Sequence, residues 1–213
     1  MAGKEQICRE HYSLGKKADF RGSFSLVLPY AKGRVLDIGC ADGGYLQHFP
    51  KGSVGADIAE VNVEECRRKG LTAVVIDANG PLDFPDGSFD TVFMSHVLEH
   101  VENPVALLRE ANRLVRPGGV LILGLPLEDM GIWRLRRDYF GGHPGHLYSF
   151  SDDGIRALLN YTGFDFERAI YTAPFIDRIG CQFLHRYFNL FPGVCLLWLC
   201  PDFWTVSSKR HEI

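Results

Sequence analysis

No two of the six cysteines, at 8, 40, 66, 181, 195 and 200, have the two-residue spacing of a zinc knuckle or a redox dithiol. Cys40 falls in a predicted turn and Cys66 in a predicted helix, so a disulfide framework is not expected and a reducing compartment, the cytoplasm, fits better. Charge of one sign is also lacking. The formal net charge is -3, and the short basic clusters Arg67-Arg68-Lys69 and Arg134 to Arg137 are flanked by acids or apolar residues. That pattern argues against a binder of nucleic-acid backbones. No apolar run is long enough to span a membrane: residues 187–201 carry no charge, but these fifteen are interrupted by Pro192 and Gly193. The opening stretch MAGKEQICREHYSLGKK is too polar for a signal peptide. Internal repeats and low-complexity segments are missing as well.

What is present suits an ordinary globular domain. The 213 residues are 46% apolar and 23% charged, enough for a sizeable core in a single domain. The stretch that organises the chain is Val35-Leu36-Asp37-Ile38-Gly39-Cys40-Ala41-Asp42-Gly43-Gly44. An apolar run ends on an acid, and small residues then recur at alternate positions. A buried parallel strand reads this way when it empties into a tight turn. Such turns lie at the carboxyl edge of doubly wound sheets, where ligands bind.

The remaining pattern supports that placement. A helix over about 18–28 is expected to cover one end of a sheet. Strands are predicted at 34–38, 53–57, 72–77, 89–94 and 119–125, then 164–171, with 203–208 as a last, edge strand. Helices are predicted at 43–49 and at 59–69, where Gly70 stops the turn. Asn103 is expected to cap a helix opened by Pro104, and Ser151 to cap another running to Tyr161. A turn-rich loop occupies 79–88, and a connecting segment runs from Pro126 to Tyr148. Apolar strands alternating with helices predict an α/β fold: a doubly wound, mostly parallel seven-stranded sheet with helices on both faces and an antiparallel last strand. The organisation expected is an N-terminal helical cap over 1–30 and a ligand-binding core over 31–173. Residues 174–213 then form an apolar connector and final strand of the same domain.

Asp37, Asp57 and Asp77 each close a predicted strand, so a parallel sheet carries all three along one rim. The twenty residues from Asp37 to Asp57 make about one strand-helix-strand unit, which places Asp57 to accept from a ribose diol. Asp77, one strand further out, is placed for a polar adenine edge. The turn discriminates further. Its spacing, Asp37-x-Gly39-x-Ala41-x-Gly43, is not the G-x-G-x-x-G of a dinucleotide loop, and Asp37 would repel a pyrophosphate while suiting an ammonium. A ligand with ribose, adenine and a cationic amino-acid part fits these residues; a nicotinamide dinucleotide, and hence an oxidoreductase, fits poorly.

The stretches VLDIGCADGGYL, GADI, VVIDANGPLDFPDGSFDTVFMSHVLEHVENPVALLREANRLVRPGGVLILGLP and HLYSFSDDGIRALLNYTGF cover about residues 34–164 in consistent order. On them the chain resembles class I S-adenosylmethionine-dependent methyltransferases of the small-molecule type that includes ubiquinone and menaquinone biosynthesis enzymes. The resemblance implies S-adenosylmethionine as cofactor. It implies that the turn around Gly39 and Gly43 holds the amino-acid part with Asp37 behind it. Asp57 would take the ribose, Ile58 would pack on adenine, Asp77 and Ala78 would meet its edge, and Ser95 and His96 would line the floor. Ala41 departs from the glycine common in this family, and slight tightening of the turn is expected. The lack of an N-P-P-Y-like tetrad after the fourth strand disfavours base or glutamine N-methylation.

In such a reaction the protein aligns the acceptor and removes its proton when that acceptor is a hydroxyl. Histidine is the natural base near neutral pH. His146 is the first candidate and His143 beside it the second; the competing reading is that these rings hydrogen-bond the loop in place. His96-x-x-Glu99-His100 with a distant histidine resembles part of the shell of metal-assisted relatives, but His96 stands where their first glutamate does, and no metal is expected. The aromatic segment 175–199 either completes the core and roofs an apolar acceptor pocket, or forms a peripheral membrane or protein contact. The function expected is methyl transfer to a small, apolar or phenolic acceptor, at oxygen before nitrogen or carbon. A non-catalytic cofactor-binding partner protein is the alternative.

Overall fold

The computed structural model describes residues 21–126, 145–172, 189–190 and 202–210. In chain order the elements are α1 (Arg21–Val27), β1 (Val35–Ile38), β2 (Val54–Asp57), α2 (Glu60–Arg68), β3 (Ala73–Val75), β4 (Phe89–Ser95), α3 (Pro104–Leu114), β5 (Val115–Pro126), α4 (Asp152–Tyr161), β6 (Phe164–Thr172) and β7 (Asp202–Lys209). The strands form a seven-stranded sheet in the order β3-β2-β1-β4-β5-β7-β6. β1 to β5 pair in parallel, and β7 runs antiparallel to both β5 and β6. Strand order reverses direction between β1 and β4, the place where an open α/β sheet leaves a crevice at its carboxyl edge.

Alternation along the strands fills a layer on each face. Leu36, Ile38, Val92 and Met94 pack with Leu107, Leu108 and Ala111 of α3 and with Ile155 and Leu159 of α4. Val35, Phe93, Ile122 and Trp204 pack on the other face with Phe24 and Val27 of α1 and with Val63 and Cys66 of α2. Phe93 anchors that second layer, with ring centroids 5.2 Å from both Tyr45 and Phe49 and 5.5 Å from Trp204. The caps read from sequence are in place: the Asn103 side chain accepts from Ala106 N at 3.0 Å, and the Ser151 hydroxyl accepts from Gly154 N at 3.1 Å.

Four expected elements differ. The helix over 43–49 shrinks to one 3₁₀ turn, Leu46–His48, because Gly43 at φ 83° and the adjacent Gly44 oppose helix formation and Pro50 follows. The third strand stops at Val75, and Asp77 lies two residues beyond in a side-chain turn, its Oδ1 accepting from the backbone and side-chain nitrogens of Asn79 at 2.9 Å each. The fifth strand starts at Val115 instead of Gly119, a register shift between Phe89 and Thr91 taking up the extra residues. β7 is not an edge: it lies between β5 and β6, and Phe203 and Trp204 are buried on opposite faces.

Of the apolar segment 175–199, Asn189 and Leu190 are described. Asn189 receives Tyr171 N at its Oδ1 and donates Nδ2 to Tyr171 O, both at 3.0 Å, and Leu190 is 65% exposed. No helix among the described residues is long and apolar enough to cross a membrane.

Candidate active site

The turn after β1 is built from backbone that side chains rarely adopt. Gly39 and Gly43 have φ of 75° and 83°, and a Cβ at Gly39 would strike Val97. Gly39 N and Cys40 N both donate to Ala56 O, at 2.7 and 3.2 Å, tying the turn to β2. Ala41 keeps φ at 47°, where an L-residue pays roughly 1–2 kcal/mol in steric strain. Its N–H donates to Asp57 Oδ2 at 2.8 Å, which helps hold it there.

The three acids stand at one edge in different surroundings. Asp37, next to last in β1, is 1% exposed on the α2 side of the sheet, and its Oδ2 has no hydrogen-bond partner. Burial pushes its carboxyl well above the usual carboxylate range, with the Cys66 and Asp57 charges adding to the shift. Asp57 ends β2 and is already engaged. Besides Ala41 N it accepts from Ala59 N at 2.9 Å and from Asn62 Nδ2 at 3.1 Å. A carboxylate has about four acceptor positions, so three donors leave one. Asn62 reaches Asp57 because it stands just inside the first turn of α2, a contact that sequence reasoning missed. Asp77 is exposed, Ala78 beside it is half-buried, and Ile58 is 40% exposed at the same rim.

The end of β4 carries the second strained turn. Ser95 and His96 are half-buried, His96 has φ 54°, and its N–H donates to Gly124 O at 2.9 Å. His96 Nδ1 lies 3.3 Å from Oε1 of Glu99, a fully buried carboxylate whose two oxygens make no aligned hydrogen bond. Burial pushes the Glu99 carboxyl up, but the neighbouring His96 ring, helped by a backbone N–H and by His100, outweighs this and holds it below the usual range. His100 Nδ1 bonds Gly145 O at 2.9 Å; a carbonyl only accepts, so the ring carries its proton on Nδ1. Burial lowers the His100 pKa, partly opposed by Glu99.

These bonds bring the post-β5 segment onto the β4 turn. Leu147 N and Tyr148 N donate to Glu99 O at 2.7 and 3.3 Å, and the Tyr148 hydroxyl donates to Glu102 O at 2.9 Å. The His146 ring meets that of His100 edge-on, with centroids 4.7 Å apart. His143 lies outside the described residues. Glu99, His100 and His146 each offer a ligand atom, all within 4.8 Å of one another, a donor set able to hold a divalent ion. The sequence placed these residues on one rim without showing that Glu99 is the buried hub; an acid between Leu98 and His100 gives no burial signal.

The sheet order is that of a Rossmann-like α/β fold, which the solved S-adenosylmethionine-dependent methyltransferases below share. Residues 36–123 match the family model described as a methyltransferase domain. The chain is 31% identical over 130 residues to the ubiquinone biosynthesis O-methyltransferase of Maricaulis maris, covering 56% of this chain and 46% of that protein. It thus resembles the class I S-adenosylmethionine-dependent methyltransferases of ubiquinone biosynthesis. A solved S-adenosylmethionine-dependent methyltransferase from Archaeoglobus fulgidus superposes with TM-score 0.70 at 20% identity, covering 95% of this chain and 98% of that one. A chain of the complex containing the Haloferax volcanii Trm112 methyltransferase activator gives TM-score 0.72 at 15% identity, over 93% of each chain. At such identities the likeness is one of fold. The chain spans 30%, 45% and 46% of the length of the curated relatives first matched, less than half of each.

Proposed function

We propose that this chain is an S-adenosylmethionine-dependent methyltransferase acting on a small, apolar or phenolic acceptor, at oxygen before nitrogen or carbon. The observation that carries the reading is the buried Oδ2 of Asp37, without a partner behind a turn of left-handed residues. A buried polar atom requires a partner, and a cationic amino-acid ligand supplies one where a pyrophosphate would be repelled. The bound cofactor contributes an activated methyl group on its sulfonium. The protein does the rest. Gly39 and Gly43 present backbone to the amino-acid part, and the last acceptor position of Asp57 takes a ribose hydroxyl. Ile58 covers adenine, Asp77 and Ala78 meet its edge, and Ser95 and His96 form the floor.

His146 receives the proton of the acceptor hydroxyl, with His143 as the neighbouring candidate, and the bonds from Glu99 and His100 to the 145–148 segment hold it at the rim. The O-methyltransferase relative supports oxygen as the acceptor atom. In this reading the reaction takes no metal, so turnover should survive saturating chelator. The same reading takes 1–30 as the cap, 31–173 as the cofactor core and 174–213 as connector and last strand. It places the protein in the cytoplasm without a nucleic-acid partner, and the exposed Leu190 favours a protein or membrane contact through 175–199.

The test is turnover of labelled S-adenosylmethionine over a panel of phenols, comparing wild type with His146→Gln. A drop of about 10²-fold or more in kcat with cofactor affinity unchanged is expected. Equal turnover with the same pH profile would remove His146 from the reaction. The alternative is a cofactor-binding partner protein without turnover; tight cofactor binding with no product across the panel would select it.

A further inference from the structure

Behind the turn that the proposed function gives to the cofactor sits a pair of thiols with no part in methyl transfer. Cys40, in the turn, and Cys66, on the inward face of α2, are both buried, with Sγ atoms 4.0 Å apart. Both sulfurs point at one acceptor, Ala41 O, at 3.6 Å from Cys40 and 3.3 Å from Cys66. The backbone on either side is pared down to admit them. A Cβ at Gly55 of β2 would lie 2.7 Å from the Cys40 sulfur, and one at Gly43 would lie 3.1 Å from the Cys66 sulfur. The residue between them in contact, Ala41, is the non-glycine held at φ 47° and bonded to Asp57.

We infer that Cys40 and Cys66 form a redox modification site: a hydroperoxide oxidises them to a disulfide that distorts the cofactor turn and weakens cofactor binding, and a thiol reductant restores it. The inference rests on the cofactor assignment of the turn for its effect, though not for its chemistry.

The two sulfurs differ in the way the steps require. The Cys40 thiol hydrogen-bonds Cys66, which lowers the Cys66 pKa against the opposing effect of burial; the Lys69 ammonium lowers it further, while the Asp42 and Asp57 carboxylates oppose. Cys40 is pushed up, first by that same bond and then by burial. Cys66 is thus the attacking thiolate and Cys40 the resolving thiol. With hydrogen peroxide, the Cys66 thiolate forms an S–O bond as the O–O bond breaks and hydroxide leaves. Cys40 gives its proton to that hydroxide and attacks the sulfenic sulfur; the S–S bond forms, the S–O bond breaks, and the second hydroxide takes back from solvent the proton that Cys66 released on ionising, leaving as water. Two electrons pass from the sulfurs to the peroxide, and two waters result. Because both sulfurs are buried, the oxidant reaches them when the turn opens.

The consequence for the turn follows from length and hydrogen bonding. Closing 4.0 Å to the roughly 2.05 Å of a disulfide draws Cys40 toward α2. In the disulfide neither sulfur carries a hydrogen to give Ala41 O, at the residue whose N–H is bonded to Asp57.

The experiment uses the whole chain, fully reduced, then exposed to hydrogen peroxide and afterwards to dithiothreitol. Peptide mapping by mass spectrometry should show a Cys40–Cys66 linked peptide, lighter by two hydrogens, which reverts on reduction. Hydrogen exchange over residues 39–44 should change with it, and affinity for S-adenosylmethionine should fall at least tenfold and recover. Cys66→Ala and Cys66→Ser should bind cofactor and ignore peroxide; two variants guard against one failing to fold. Absence of the linked peptide overturns the inference, as does a linked peptide with unchanged exchange and affinity, or equal peroxide sensitivity in a folded Cys66 variant. If the reduced protein binds no cofactor while the linkage and exchange change appear, the proposed function fails and the redox site stands.

Discussion

At the scale of single residues, the account turns on carboxylates whose surroundings differ more than their positions. Asp37 is nearly sealed from solvent with its pKa raised chiefly by burial. A carboxyl whose folded pKa lies above its unfolded value of about 3.9 holds its proton more tightly when folded. Stability from this group is therefore present below that unfolded value and is lost as pH rises through the folded pKa. Asp37→Asn should accordingly match or exceed wild type in denaturant midpoint at neutral pH, with the gap widening as pH rises from about 4, while cofactor affinity falls. A variant less stable than wild type at pH 7, with unchanged affinity, would contradict the assignment. Asp57 behaves differently, because Ala41 N, Ala59 N and Asn62 already depend on it. Asp57→Ala should cost about 1–3 kcal/mol of stability by leaving buried donors unpaired, besides at least tenfold in cofactor affinity, measured by chemical unfolding and calorimetric titration.

Elements supply the frame that makes those residues meet. Arg113 in α3 donates to Leu82 O and Phe84 O at 2.9 Å each, and to Glu110 and Asp86, so one guanidinium fastens the 79–88 loop beside Asp77 and Ala78. Arg113→Ala should lose about 1–3 kcal/mol in chemical unfolding and raise hydrogen exchange over 79–88; unchanged exchange would mean the loop holds itself. Much of this level was legible beforehand. The strands that carry Asp37 and Asp57 at their carboxyl ends read as the continuous apolar runs that burial on both faces enforces, and Asn103 and Ser151 cap because short polar side chains satisfy helix N–H groups. What stayed hidden depends on long-range partners. The reduction of 43–49 to one turn is the exception, since Gly43, Gly44 and Pro50 already oppose a helix there. β7 is inserted between β5 and β6 by backbone pairing with both, and its Trp204 packs on Phe93, more than a hundred positions earlier. The hub role of Glu99 was hidden for the same reason: its surroundings come from the 145–148 segment.

The whole molecule is a sheet with two layers of core and one working edge. Phe93 joins α1, the turn after β1 and β7 through its ring contacts, so Phe93→Ala should cost about 3–5 kcal/mol and still unfold in one transition by circular dichroism and fluorescence together. Two separated transitions would mean that these parts do not share a core. In the proposed function the parallel strands, the strained turn and the unpartnered carboxyl converge on one ligand, and ligand linkage would read that convergence as a whole-molecule property. The decisive measurement is thermal unfolding of the reduced protein with and without S-adenosylmethionine. At 100 times Kd the account predicts about 2.7 kcal/mol of added stability, a Tm rise of roughly 5–10 °C for a chain of this size, much diminished in Asp37→Asn. A Tm unmoved by millimolar S-adenosylmethionine, or raised instead by a reduced nicotinamide dinucleotide, would contradict it.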